Sequence, residues 1–80
     1  MKVLITGIAG LLGSKLAEYI IEQKSEVSEV IGIDDLSGGY MSNLPDDKKL
    51  RFYEISLLEY DKIENIYRTH KPDILFHFAA

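Results

Sequence analysis

Short apolar runs and helical stripes alternate along this chain. Val3-Leu4-Ile5 is an apolar run with β-branched members, the pattern of a strand covered on both faces. Leu12, Leu16, Tyr19 and Ile20 then fall at i, i+4, i+7 and i+8. That spacing predicts an amphipathic helix with these four on its inner face and Lys15, Glu18 and Glu22 outside. The stripe fades at Gln23-Lys24-Ser25, and Val27 to Ile33 predicts a second strand ending at Asp34-Asp35. From Leu36 to Lys49 the chain is polar, with Gly38-Gly39 and Pro45, and reads as a loop with one helical turn near Met41-Ser42-Asn43-Leu44. Leu50 to Ile55 predicts a third strand. Ile63, Ile66, Tyr67 and His70 mark a second helix, closed by Lys71-Pro72 because proline cannot continue it. Asp73 opens a fourth apolar run, Ile74-Leu75-Phe76-His77-Phe78-Ala79-Ala80.

The order β-α-β-loop-β-α-β predicts an α/β fold with a parallel sheet. Right-handed crossovers give it strand order 3-2-1-4, the N-terminal half of a Rossmann-like, doubly wound domain. A ligand crevice is then expected where the order reverses, between strands 1 and 4. Strand 4 is apolar on both faces, so it calls for cover above and below and a further strand beside it. Residues 1–80 are accordingly expected to be the N-terminal part of a dinucleotide-binding domain, with the rest of that domain following.

The chemistry is concentrated where the first strand meets the first helix. Thr6-Gly7-Ile8-Ala9-Gly10-Leu11-Leu12-Gly13 holds three glycines at G-x-x-G-x-x-G spacing. In a dinucleotide site each has a role: Gly7 for the sharp turn, Gly10 for backbone approach to a pyrophosphate, and Gly13 for close helix–strand packing. The helix N-terminus offers free N–H groups and a partial positive charge to the phosphates. Asp34 follows Gly13 by 21 positions, at the end of a strand, where a carboxylate that binds ribose hydroxyls is expected.

Composition narrows the partners. The net charge of −4, with no basic cluster to offset it, argues against nucleic acid or an anionic membrane. With no cysteine, neither a disulfide framework nor a thiolate metal site is available. Met1 leads straight into the first strand without a signal-like segment, and the apolar runs are too short to span a bilayer, so a cytoplasmic protein is expected.

The glycine segment, Asp34-Asp35-Leu36-Ser37-Gly38, and Lys71-Pro72-Asp73 leading to His77-Phe78-Ala79-Ala80 together resemble the extended short-chain dehydrogenase/reductases. The resemblance spans the whole chain and is greatest to NAD-dependent nucleotide-sugar epimerases and dehydratases, the sugar-nucleotide 4-epimerases first among them. It implies NAD as cofactor, a nucleotide sugar as substrate, and a homodimer for the full-length protein. It also implies roles: Gly7 to Gly13 around the pyrophosphate with Leu11 and Leu12 giving backbone contacts, and Asp34 on the ribose. Asp35, Leu36, Ser37 and Gly38 would line the adenine side, and Phe78, Ala79 and Ala80 would run beneath the nicotinamide half. Ser56-Leu57 stands where the family usually carries an aspartate followed by an aliphatic residue to hold the adenine amino group. This is a departure that costs charge assistance of about 1 kcal/mol. The family's catalytic Ser/Thr and Tyr-x-x-x-Lys pair are expected beyond strand 4, so no catalytic residue is assigned within these residues, and none of the tyrosines is read as that pair's member.

Plainer readings apply to several residues. Thr6 bonds either within the glycine turn or to ligand, and Asp35 is either a site residue or a solvated turn residue. His77 is expected to be a satisfied structural histidine, His70 to lie at a helix C-terminus, and Tyr53 and Tyr67 to serve packing. Two other functions fit the same pattern: a non-catalytic dinucleotide-binding regulator, and an S-adenosylmethionine-dependent methyltransferase.

Overall fold

The computed structural model describes residues 1–79. Four parallel strands, β1 (Lys2–Thr6), β2 (Glu29–Asp34), β3 (Leu50–Glu54) and β4 (Ile74–His77), form one sheet in the order β3-β2-β1-β4. Helix α1 (Leu11–Gln23) connects β1 to β2, and α2 (Tyr60–His70) connects β3 to β4. A 3-10 turn at Met41–Asn43 sits within the long connection after β2, near the expected helical turn. The predicted elements and strand order are all present. No helix among the described residues is long and apolar enough to cross a membrane.

The period-2 alternation of the strands sorts their side chains into two cores. Val3, Ile5 and Val30 point to one face, where Ile8, Ala17, Ile20 and Val27 pack on them. Leu4, Ile31 and Ile33 point to the other, under Ile66 and Ile63 of α2. The central strands β1 and β2 are thus covered on both sides, as parallel sheets require.

The inner face of α1 differs from the one its large apolar residues predict. Leu12 is 72% exposed and Tyr19 52%, while Gly13, Ser14, Ala17 and Ile20 are buried. The cause is the closeness of α1 to the β1 turn: a Cβ on Gly13 would lie 2.3 Å from the Gly7 carbonyl oxygen and 2.9 Å from Ile8 Cα. Only the small-residue side of the helix fits at that distance, so the helix is rotated from the orientation that its bulky residues suggest. Tyr19 instead lies under the Lys24 ammonium, 5.7 Å from the ring centre.

At the far end of the sheet, α2 is anchored by a polar network. His70, its last residue and buried, contacts Glu29 Oε1 through Nδ1 at 2.8 Å and the Tyr53 hydroxyl through Nε2 at 2.7 Å. Glu29 also faces Arg51 at 3.6 Å and Lys2 at 3.9 Å. His70 and Tyr53 therefore take the structural roles expected of them.

Candidate dinucleotide site

At the C-terminal ends of the strands, the glycine turn, the loop after β2 and the segments after β3 and β4 enclose a groove of about 560 Å³. Of the sequence-predicted residues, Gly7, Gly10, Asp34, Asp35, Ser37, Gly38, Ser56, Leu57, Phe78 and Ala79 line it. Ile33, Ile55 and Leu58 complete its wall. Leu11, Leu12 and Gly13 stand beside it at the start of α1. Leu36, at φ 66°, is not among the residues of the wall, and Ala80 lies outside the described residues.

Gly7 adopts φ +71°, and a Cβ there would sit 2.8 Å from the Ala79 backbone nitrogen and 2.9 Å from the Phe78 carbonyl carbon. Both the turn and the approach of β4 therefore require glycine. Gly10 is the N-cap of α1, in extended geometry. A Cβ added to it meets only the Gly7 oxygen, at 3.4 Å, so the space before it is open.

Most donors of this turn are already committed. The Gly7 N–H donates to the Ile33 carbonyl at 2.8 Å, the Ala9 N–H to Asp34 Oδ2 at 2.9 Å, and the Gly10 N–H to the Gly7 carbonyl at 3.1 Å. The Ser14 N–H makes the first helical bond, to Gly10 at 3.0 Å. That leaves the N–H groups of Leu11, Leu12 and Gly13, which a first helical turn cannot satisfy internally. They sit where the helix dipole places about half a positive charge. Leu11, 77% exposed, and Leu12 leave this end of the helix open.

Asp34 is more than a groove-lining acid. One carboxylate oxygen holds the Ala9 N–H and the other holds the Leu36 N–H at 2.7 Å. An ionised carboxylate offers about four acceptor positions, so two remain for hydroxyls in the groove. Asp35 folds back on Ser37, accepting from its N–H at 2.9 Å and its hydroxyl at 2.7 Å. The Ser37 hydroxyl, first, and its N–H hold the exposed Asp35 carboxyl below its usual range.

Ser56 shows a second commitment that the sequence reading missed. Its hydroxyl accepts the Leu58 N–H at 3.1 Å, and its own N–H donates to Glu59 Oε2 at 2.9 Å. Ser56-Leu57-Leu58-Glu59 is thus a hydrogen-bonded turn that leads into α2, whose N-cap is Glu59, and the S-x-x-E spacing was its signal. The ion pair to Lys62 at 2.8 Å, first, and the Ser56 N–H hold Glu59 below the usual glutamate range. Thr6 bonds neither within the turn nor into the groove: its hydroxyl lies 2.6 Å from His77 Nδ1, across the β1–β4 pairing. His77 thereby has a structural partner.

Tyr67 and Lys71 stand at Tyr-x-x-x-Lys spacing. They are not groove residues. Lys71 is the C-cap of α2 at φ 50°, and Asp73, two residues on, pairs with Lys2 at the opposite end of the sheet.

A model of the NAD dependent epimerase/dehydratase family matches residues 3–80. Over 99% of its length the chain is 38% identical to a dTDP-D-glucose 4,6-dehydratase of Dictyostelium discoideum, covering 19% of that protein. A crystal structure of UDP-glucose 4-epimerase from Thermotoga maritima, with UDP-glucose, superposes with TM-score 0.88 at 38% identity over all of the chain and 24% of the epimerase. The Bordetella bronchiseptica enzyme WbmH, in complex with NAD+, gives TM-score 0.90 at 35% identity, over 99% of the chain and 25% of that enzyme. The chain therefore spans about a quarter or less of the length of these relatives.

Proposed function

This chain belongs to the NAD-dependent epimerase/dehydratase family, and from that premise we propose that it is the cofactor-holding part of a nucleotide-sugar epimerase or dehydratase, a 4-epimerase first among these. The observation that carries the reading is the groove itself. Three unpaired helix-start N–H groups, an open Gly10 and a half-used Asp34 carboxylate converge at the strand ends. That set matches a dinucleotide: two phosphates for the N–H groups and two vicinal hydroxyls for the carboxylate.

In this reading Leu11, Leu12 and Gly13 hold the pyrophosphate, Asp34 the adenosine ribose, and Asp35 to Gly38 with Ser56 and Leu57 the adenine side. Phe78 and Ala79 form the floor under the nicotinamide half, braced by the Gly7–Ala79 approach and the Thr6–His77 bond. NAD supplies a reversible hydride acceptor when bound. These residues bind and orient it, and the acid–base groups and sugar pocket are assigned to the rest of the protein, which we take to be a homodimer.

Membership in this family sets aside the methyltransferase alternative. The test is titration calorimetry of NAD into the intact protein together with epimerase and dehydratase assays on nucleotide sugars. NAD binding with turnover supports the proposal, and NAD binding without any turnover would favour the regulator instead. Absence of NAD binding would sink both.

A further inference from the structure

The glycine turn is held from behind by residues 39–43, the part of the connection after β2 that follows its groove-lining segment. Ala9 is fully buried and absent from the groove wall, although Gly7 and Gly10 on either side line it. Its carbonyl oxygen accepts two bonds from the connection after β2: the Tyr40 N–H at 3.1 Å and Asn43 Nδ2 at 2.8 Å. A carbonyl only accepts, so the Asn43 group facing it is the amide nitrogen. Gly39 presses on the same peptide, where a Cβ would come within 2.5 Å of the Ala9 carbonyl.

We propose that Asn43 is a positioning residue for the ligand's pyrophosphate, acting by holding the Ala9 carbonyl turned away from the groove. The proposal rests on the dinucleotide reading given above. Its physical basis is a sign conflict. A carbonyl oxygen carries partial negative charge, so one swung toward the helix start would oppose phosphate beside the N–H groups of Leu11, Leu12 and Gly13. The Gly10 N–H is tied to Gly7, so rotation of the Ala9–Gly10 peptide is resisted at both ends while Asn43 donates. Asn43 touches no groove surface itself, and its effect on ligand passes through that one peptide.

The test compares ligands with and without phosphate on the intact protein stripped of bound nucleotide. In Asn43→Asp the shape is kept, but a carboxylate oxygen faces the Ala9 carbonyl and repels it. NAD and ADP are expected to bind about tenfold more weakly, whereas adenosine, followed by NMR shifts, changes by less than about twofold. Lowering the pH to protonate the new carboxyl restores a donor, so the wild-type to variant affinity ratio for ADP is expected to shrink. Equal weakening of adenosine would mean that Asn43 merely supports the adenine-side loop, and unchanged ADP affinity would mean that the peptide needs no holding. Either result overturns the proposal while leaving the functional reading intact. Wild-type protein that binds neither NAD nor ADP overturns the functional reading itself, and this inference with it. If Asn43→Asp does not fold, Asn43→Ser, which withdraws the donor without adding charge, is read by the same NAD, ADP and adenosine comparison.

Discussion

Asp34 and Ala9, 25 residues apart, are joined by a 2.9 Å hydrogen bond from the Ala9 N–H to Oδ2. The acid that faces the groove is thus also the clamp between the end of β2 and the glycine turn. This dual use shapes what its replacement will do.

NAD is expected to bind in preference to NADP. The 2′-phosphate of NADP would stand beside Asp34 and Asp35, and the next basic residue along the chain is Lys48. Like unit charges about 4 Å apart repel by about 4 kcal/mol at an effective dielectric of about 20. Salt and the open groove reduce that figure, so a preference between about tenfold and a thousandfold is expected by calorimetry. Asp34→Ala should narrow the gap chiefly by weakening NAD. It should also destabilise the fold by about 1–3 kcal/mol, because the Ala9 and Leu36 N–H groups lose their acceptor. Equal or tighter NADP binding by the wild type would remove the charge argument.

Gly10 and Gly13 should fail in different ways. Gly10→Val places its side chain in the open space before the helix, so the protein should fold with NAD binding abolished. Gly13→Ala drives a Cβ against the Gly7 carbonyl and should lower stability by about 1–3 kcal/mol or more, seen as a lower urea midpoint. A stable Gly13→Ala protein would refute the packing account, and full NAD affinity in Gly10→Val would move the pyrophosphate elsewhere.

Tyr53→Phe tests the buried network at the opposite end. It removes the partner of His70 Nε2 and should cost about 1–3 kcal/mol with NAD affinity unchanged. An unaltered denaturation midpoint would show that water replaces the hydroxyl without penalty.

Glu59 gives a pH signature. Its carboxyl is held below the usual range by Lys62 and the Ser56 N–H. Its stabilising effect is therefore present in full above the unfolded-state value and is lost as pH falls through the lowered folded value. Glu59→Gln keeps an acceptor for Ser56 and should flatten that part of the acid limb in thermal melts recorded from pH 6 to pH 3. An unchanged acid limb would assign the lowering no role in stability.

Residues 1–80 made alone should self-associate and turn over no nucleotide sugar. Among the described residues β4 pairs only with β1, and Leu75 is 49% exposed on this edge strand. A monomer in sedimentation with slowly exchanging amides at 74–77 would contradict the first expectation.

Local chemistry was enough to place the elements in order. β-Branched runs, glycine spacing and Pro72 act through nearest neighbours, and the parallel order follows from helices alternating with strands. The same local signals placed Gly7, Gly10 and Asp34 at a shared site, because a strand–turn–helix leaves few other arrangements. The sequence could not say which side of α1 faces the sheet, since that depends on a 2.3 Å approach between Gly13 and the Gly7 carbonyl and not on where the large apolar residues fall. Nor could it pair Thr6 with His77, Glu29 with His70, or Asn43 with Ala9. Those bonds join residues from 34 to 71 positions apart, and only the packed sheet decides which polar groups are brought within reach and which are left for a ligand.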